Sequence, residues 1–151
     1  MQAALVIGIG NPLRSDDGAG ALLAEQAAVI TAADAQGPVA VRSVQQLTPE
    51  LAAELAALEA VLFIDAWEAP EGLEPALIPL RPQPARLQSH RLEPCALLGL
   101  AQALYGRAPR AHLLRVPAQA FGHGISLSSS LQQALPKARV LLKQWLRELH
   151  A

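Results

Sequence analysis

The sequence predicts an α/β protein: a single domain over residues 1–151, three-layer α/β/α around a mostly parallel sheet. Three observations carry that expectation. Short apolar runs alternate with helix-forming segments, the order of strand and helix signals that implies a parallel sheet with helices on both faces. The Ala-rich pieces at residues 24–35 and 52–60 fall between those runs and read as helix, where Ala has the best propensity. The chain has 151 residues, 52% apolar and 17% charged, which suits one domain able to bury about 68–70% of its unfolded surface.

Residues 3–9 are an apolar run ending in Gly8 and Gly10, a buried strand. Asp16-Asp17-Gly18 opens a helix over residues 19–31, its acids placed where the helix dipole favours them. Gly37-Pro38 ends that unit, and residues 39–45 form the second strand. Thr48-Pro49-Glu50 reads as a helix start with an N-cap hydroxyl, Pro at the first helical position and an early acid, and Leu51, Leu55 and Leu58 supply the apolar stripe. Residues 60–64 are a continuous apolar strand that stops at Asp65. From 69 to 88 the chain is rich in Pro and Glu, with a short strand at 76–80 expected at a sheet edge. Residues 93–105 form a helix closed by Gly106, 112–116 a strand, 121–126 a loop, and 127–149 a terminal helix with Pro136 near its start or kinking it.

Composition removes several function classes. A formal charge of −1 with no Lys/Arg cluster excludes an electrostatic nucleic-acid binder. One cysteine, Cys95, excludes an internal disulfide framework and suits a reducing cytosol. Apolar stretches break well before the roughly 20 residues of a membrane span, and the first residues lack a basic n-region. A soluble, cytoplasmic protein with no membrane partner is expected.

In parallel α/β sheets the working site lies beyond the carboxyl ends of the strands, at a topological switch point. The first such loop is Gly8-Ile-Gly-Asn-Pro-Leu-Arg-Ser-Asp-Asp-Gly-Ala-Gly20. It fails as a dinucleotide fingerprint, because Leu13 takes the third glycine position and Pro12 stands in the turn. It fails as a phosphate loop because no Gly-Lys-Ser/Thr follows, so no nucleotide is expected. Of Asp16 and Asp17, one caps the helix and the other is free to project into the crevice as ligand or base. Asp65 ends an apolar strand, where a carboxylate must be paired, coordinated or facing the crevice. His90 precedes a helix. Two carboxylates and one imidazole make a three-ligand N/O set that suits a borderline divalent metal and leaves positions open for a substrate.

Four further candidates carry less. His123, in a Gly-flanked loop, is placed to approach the site. His112 falls within a strand, His150 at the end of the sequence, and Cys95 in a helix as a small buried apolar side chain. No G-x-S-x-G elbow and no H-E-x-x-H occurs, which removes those two hydrolase types.

Residues 8–20 resemble the opening motif of the [NiFe]-hydrogenase maturation endopeptidases. The resemblance continues in order through Gln46-Leu-Thr-Pro-Glu50, Phe63-Ile-Asp65-Ala66, Ser89-His90, Leu104-Tyr-Gly106 and Gly124-Ile-Ser-Leu-Ser128, spanning nearly the whole chain. It implies one hydrogenase-maturation-protease-like domain over residues 1–151, with a phosphorylase/hydrolase-like fold. It also implies a cytoplasmic endopeptidase that removes the C-terminal extension of a [NiFe]-hydrogenase large-subunit precursor once nickel is inserted. The family's metal ligands carry over onto Asp17, Asp65 and His90, which are also the expected catalytic groups. The nickel is carried by the substrate, and other divalent metals can occupy the site. Asp16 is expected to cap the helix and orient the ligand loop, with Asn11 and Arg14 against the precursor's tail. The segment from Ala66 to Pro75 departs from the Gly and Pro-Gly pattern of many relatives, which bears on substrate preference. The alternatives are a peptidase of the same fold acting on another protein, or a non-catalytic metal-binding module.

Overall fold

Along each buried strand successive side chains turn to opposite sides, so a continuous apolar run feeds two cores at once. In a computed structural model, which describes residues 3–70, 72–84 and 91–149, that is the arrangement observed. Five strands form one sheet: β1 (Ala4–Ile9), β2 (Ala40–Val44), β3 (Ala60–Glu68), β4 (Ala76–Leu80) and β5 (Arg110–Ala118). Their order is β2-β1-β3-β5-β4, all parallel except β4, which runs antiparallel to β5 at the edge. The helices are α1 (Ala19–Thr31), α2 (Leu51–Ala56), α3 (Pro94–Tyr105) and α4 (Ser129–Glu148).

One core packs Val6, Leu62, Ile64, Leu114 and Val116 against Leu23, Ala24 and Ala27 of α1 and Leu131, Leu135, Leu142 and Trp145 of α4. The other packs Leu5, Ile7, Ile9, Val61 and Phe63 against Ala52 and Leu55 of α2 and Leu97, Leu98 and Ala101 of α3. The three-layer α/β/α expectation is therefore met, with α1 and α4 on one face and α2 and α3 on the other.

Several local expectations change. β3 does not stop at Asp65: β1 ends at the pair Ile9↔Asp65, but β3 stays paired with β5 through Glu68↔Ala118. Asp65 thus stands inside a strand, at the point where its inner neighbour leaves the sheet. β5 is likewise longer than residues 112–116. Thr48 is not a side-chain cap, since α2 starts at Leu51 with no capping side chain, and the Thr48 and Pro49 carbonyls accept the first amides in a preceding turn. Pro136 sits well inside α4, two turns from its start, where it removes the bond its N–H would have made to the Gln132 carbonyl. Cys95 is half-buried rather than buried. His112, inside β5 as expected, accepts a hydrogen bond from Trp145 Nε1 at 3.2 Å. His150 lies outside the described residues.

The entry of α1 onto the sheet depends on two glycines. A Cβ on Gly8 would stand 2.3 Å from the Gly20 carbonyl oxygen, and one on Gly20 would stand 2.5 Å from that of Ile9 and 2.6 Å from that of Ile64. These neighbours are backbone atoms in β1, β3 and α1, which cannot yield without moving a helix or strand. Gly20→Ala is therefore expected to destabilise the fold by at least about 2 kcal/mol despite the better helix propensity of Ala. Urea unfolding of the variant checks this, with Gly122→Ala, an exposed loop position without positive φ and open to a Cβ, as the comparison.

Candidate functional site

The chain leaves β1 in one direction to reach β2 and crosses back to reach β3, so the sheet reverses between β1 and β3. A crevice must open beyond their carboxyl ends. It does so, with a volume of about 780 Å³. Arg14 and Asp17 reach it from the loop after β1, Gln45 and Gln46 from the end of β2, and Asp65, Trp67 and Glu68 from β3. Arg91 and Glu93 come from the approach to α3, and Gln119, Phe121 and Gly122 from the loop after β5. A more apolar cavity of about 570 Å³ lies at the far end of α1, between Ile30, Asp34, Lys143 and Arg147, and holds none of the candidate residues.

The loop after β1 folds as a tight 3-10 turn over Ser15–Gly18 rather than as the first turn of α1. Neither aspartate caps a helix: Gly18 is the N-cap of α1, and no side chain bonds there. That corrects the expected role of Asp16. Its carboxylate is fully buried and accepts four hydrogen bonds: from Gln119 N and Ala120 N, each at 2.9 Å, from Ser128 N at 2.7 Å, and from Ser128 Oγ at 2.6 Å. Its own amide donates to the Ala120 carbonyl at 2.8 Å. Asp16 thus staples the first loop to the end of β5 and the start of α4. Burial works to raise its carboxyl pKa, but the Ser128 hydroxyl and the three amides outweigh it and hold the group below its ordinary value.

Asp17 takes the opposite course, into the crevice. Its Oδ2 accepts from Asn11 N at 2.8 Å, and Asn11 Oδ1 accepts from Leu13 N at 2.9 Å, so Asn11 folds the loop and presents an amide to the acid. Gly10, at φ +131°, makes the room: a Cβ there would stand 2.1 Å from the Asp17 carbonyl oxygen and 2.9 Å from its Oδ1. Gly10 directly follows Ile9, the register partner of Asp65, and Asp17 faces the same crevice as Asp65, near enough for its charge to act on that carboxyl.

Asp65 is poorly compensated. Oδ2 lies 3.8 Å from Arg91 Nη2, and Oδ1 is buried with no hydrogen-bond partner among the described residues. Burial pushes its carboxyl pKa up to about 7; Arg91 opposes this, while the negative charges of Asp17 and Glu93 add to it. An acid so raised marks a candidate functional group. Two residues on, and so on the same face of β3, Trp67 lines the crevice with its ring 4.4 Å from the Arg115 guanidinium carbon. Trp67, Arg91 and Gln119 were not singled out from the sequence. Strand periodicity would have found Trp67 had β3 been extended past Asp65.

His90, the third expected ligand, lies outside the described residues. His123 is exposed in the loop after β5 and does not line the crevice. Among the described residues no three His, Cys, Asp or Glu side chains converge to hold a metal ion. The donor chemistry of Asp17 and Asp65 fits a divalent cation, since two repelling carboxylates and one orphaned oxygen gain from a positive charge. The pair needs a further donor to complete a coordination sphere.

Two outcomes follow from these carboxyls. Asp16→Ala strands three amides and a hydroxyl, so it should cost about 3 kcal/mol at pH 7. Because the Asp16 pKa is depressed in the folded state, that contribution is present above the unfolded value of 3.8 and is lost as pH falls through the folded one. The penalty of the variant, read by urea unfolding, should therefore shrink in acid. Asp65 has the reverse sign: its folded pKa of about 7 exceeds the unfolded 3.8, so stability declines as pH rises between them. Asp65→Asn should be near neutral at pH 4 and stabilising by about 2 kcal/mol at pH 8.5; equal effects at both would refute the assignment.

The same architecture recurs in solved structures. An endopeptidase from Escherichia coli, known from its solution structure, superposes with a TM-score of 0.71 at 22% identity, over 98% of this chain and 93% of that one. The [NiFe] hydrogenase maturation protease HycI from Thermococcus kodakarensis matches with a TM-score of 0.69 at 19% identity, over 99% and 94%. The hydrogenase maturating endopeptidase HybD from E. coli gives 0.67 at 20% identity, over 98% and 93%. No family model matches the chain, and neither does any curated protein sequence. The chain has the fold of these proteins over nearly its full length.

Proposed function

We propose that the chain is a [NiFe]-hydrogenase maturation endopeptidase, acting in the cytoplasm to remove the C-terminal extension of a large-subunit precursor after nickel insertion. The observation that carries this reading is the Asp17–Asp65 pair. Two carboxylates face one crevice at the switch point of the sheet, one of them raised to a pKa of about 7 with an oxygen that has no hydrogen-bond partner among the described residues. The motif of residues 8–20 and the shared fold support it.

The nickel belongs to the substrate, held by the precursor's own cysteines. Asp17 and Asp65 offer it oxygen donors, and His90 an imidazole. Nickel so engaged supplies positive charge beside the scissile carbonyl and reports that insertion is complete. The residues of this chain do the rest. Asn11 N holds Asp17 in one orientation through Oδ2, while Asp16 fixes the loop that carries it. A carboxylate of the pair that stays free of the nickel takes a proton from the attacking water and returns it to the leaving amine. As the peptide C–N bond breaks, the tail leaves with a new amino terminus and the body keeps the carboxylate.

Purified protein mixed with nickel-loaded and nickel-free precursor should shorten only the loaded form, read as the mass of the large subunit. Equal cleavage of both forms would remove nickel sensing. Cleavage only of an unrelated protein would favour a different peptidase, and metal affinity without any trimming a binding module. Asp17→Asn, Asp65→Asn and His90→Ala should each lower the trimming rate by at least about 100-fold while the protein stays folded by circular dichroism.

A further inference from the structure

Asp65 has a cation built opposite it in the sheet, and that cation is turned away. On the face of β3 that carries Phe63 over α2 and α3, the pairs to β5 read Phe63↔Leu113, Asp65↔Arg115 and Trp67↔Pro117. Paired strands lie about 4.8 Å apart, so a guanidinium on Arg115 is within easy reach of the Asp65 carboxylate. The pairing is not made. Among the described residues the ion pair of Asp65 is with Arg91, and Arg115 makes no hydrogen bond or ion pair. The Arg115 guanidinium carbon lies instead 4.4 Å from the centroid of the Trp67 ring, one pair further along that face. Asp65 and Trp67 both line the crevice, and Arg115 does not.

The indole is what takes the guanidinium up. It presents a flat π face to a planar cation, a contact that suits Arg better than Lys. Trp67 Nε1 is buried with no hydrogen-bond partner among the described residues, so the guanidinium over its face is the polar contact the ring makes among them. Side chains on strands lean along the strand, which carries the long Arg115 stem toward the next pair.

The two arginines differ in what they would do to an arriving metal ion. Arg91 reaches Asp65 Oδ2 only at 3.8 Å, through a side chain 57% exposed, a screened contact given up at little cost. Arg115 is rooted in the sheet directly opposite Asp65. Paired with that acid, it would occupy the carboxylate from inside and set a fixed positive charge against any incoming cation.

We propose that Trp67 is a positioning residue: its indole face holds the Arg115 guanidinium away from Asp65 and so keeps that carboxylate open to the metal ion borne by the substrate. This rests on the endopeptidase reading, in which Asp65 meets nickel, and adds the element that keeps the acid available. Trp67 acts through Arg115 rather than on the nickel.

The test has two arms, both on the intact chain. In the first, the Arg115 Nε–Hε resonance is followed by isotope-edited NMR without metal. Over the indole face it should be shifted upfield by the ring current; Trp67→Leu should abolish the shift and Trp67→Phe should keep part of it. In the second, nickel chloride is titrated into the protein by calorimetry. Trp67→Leu should raise the nickel Kd at least about tenfold, the scale of losing a supporting side chain around a metal site. Trp67→Phe and Arg115→Gln should each stay within about threefold of wild type, and Trp67→Leu/Arg115→Gln should return to that range, because the two side chains act as one unit. A packing defect at Trp67 would not be repaired by removing a second side chain. Trp67→Leu with wild-type Kd, or with a loss that Arg115→Gln does not rescue, overturns the proposal, as does an unshifted Arg115 resonance in wild type. If Trp67→Leu unfolds earlier in urea, Trp67→Met, flexible and without a ring, gives the same comparison. Wild type that takes up no nickel defeats the reading of Asp65 as a ligand, and the Arg115 resonance then still decides whether Trp67 holds that guanidinium.

Discussion

The buried carboxylate of Asp16 is the interaction on which the rest of the site depends. A fully desolvated acid is tolerated only when its lone pairs are satisfied, and here four donors from the end of β5 and the start of α4 satisfy them. The consequence is topological. The first loop and the last loop of the chain become one rigid body, and their edges face the crevice. A charge that would be costly alone becomes the tie that fixes where its neighbours point.

Asp17 is the clearest beneficiary. One residue after the staple it lies in a 3-10 turn whose geometry sends its side chain the other way, into the space that Gly10 leaves open. Adjacent aspartates thus do opposite work. Asp16 is held ionised by hydrogen bonds, whereas Asp17 meets Asp65, whose burial keeps it near half-protonated at neutral pH. That contrast between a satisfied carboxylate and an unsatisfied one separates structural support from chemistry in this molecule.

Much of the fold was legible because its signals are local. Gly106 at φ +79° closes α3, the edge strand at 76–80 falls where Pro-rich flanks confine it, and β1, β2 and α1 lie within a residue or two of their expected limits. The failures share a cause. The extension of β3 past Asp65 and of β5 past Val116 comes from their pairing with each other, which neither segment encodes alone. The partner of Asp16 is more than a hundred residues away at Ser128, and no spacing rule reaches it.

The sequence by itself determined the class of architecture, the alternation that feeds two cores, and the residues with chemistry to offer: Asp16, Asp17, Asp65, His90 and the glycines around them. Those follow from side-chain period and residue type, which a linear chain displays. Only the tertiary structure decided which aspartate would be buried as a staple and which would face Asp65. It also decided that one oxygen of Asp65 would be buried with no partner among the described residues, and that the loops around Leu13 and Gly124 would be joined backbone to backbone. Burial and desolvation depend on what packs against a group from distant parts of the chain, and that is settled only when the sheet and its loops close.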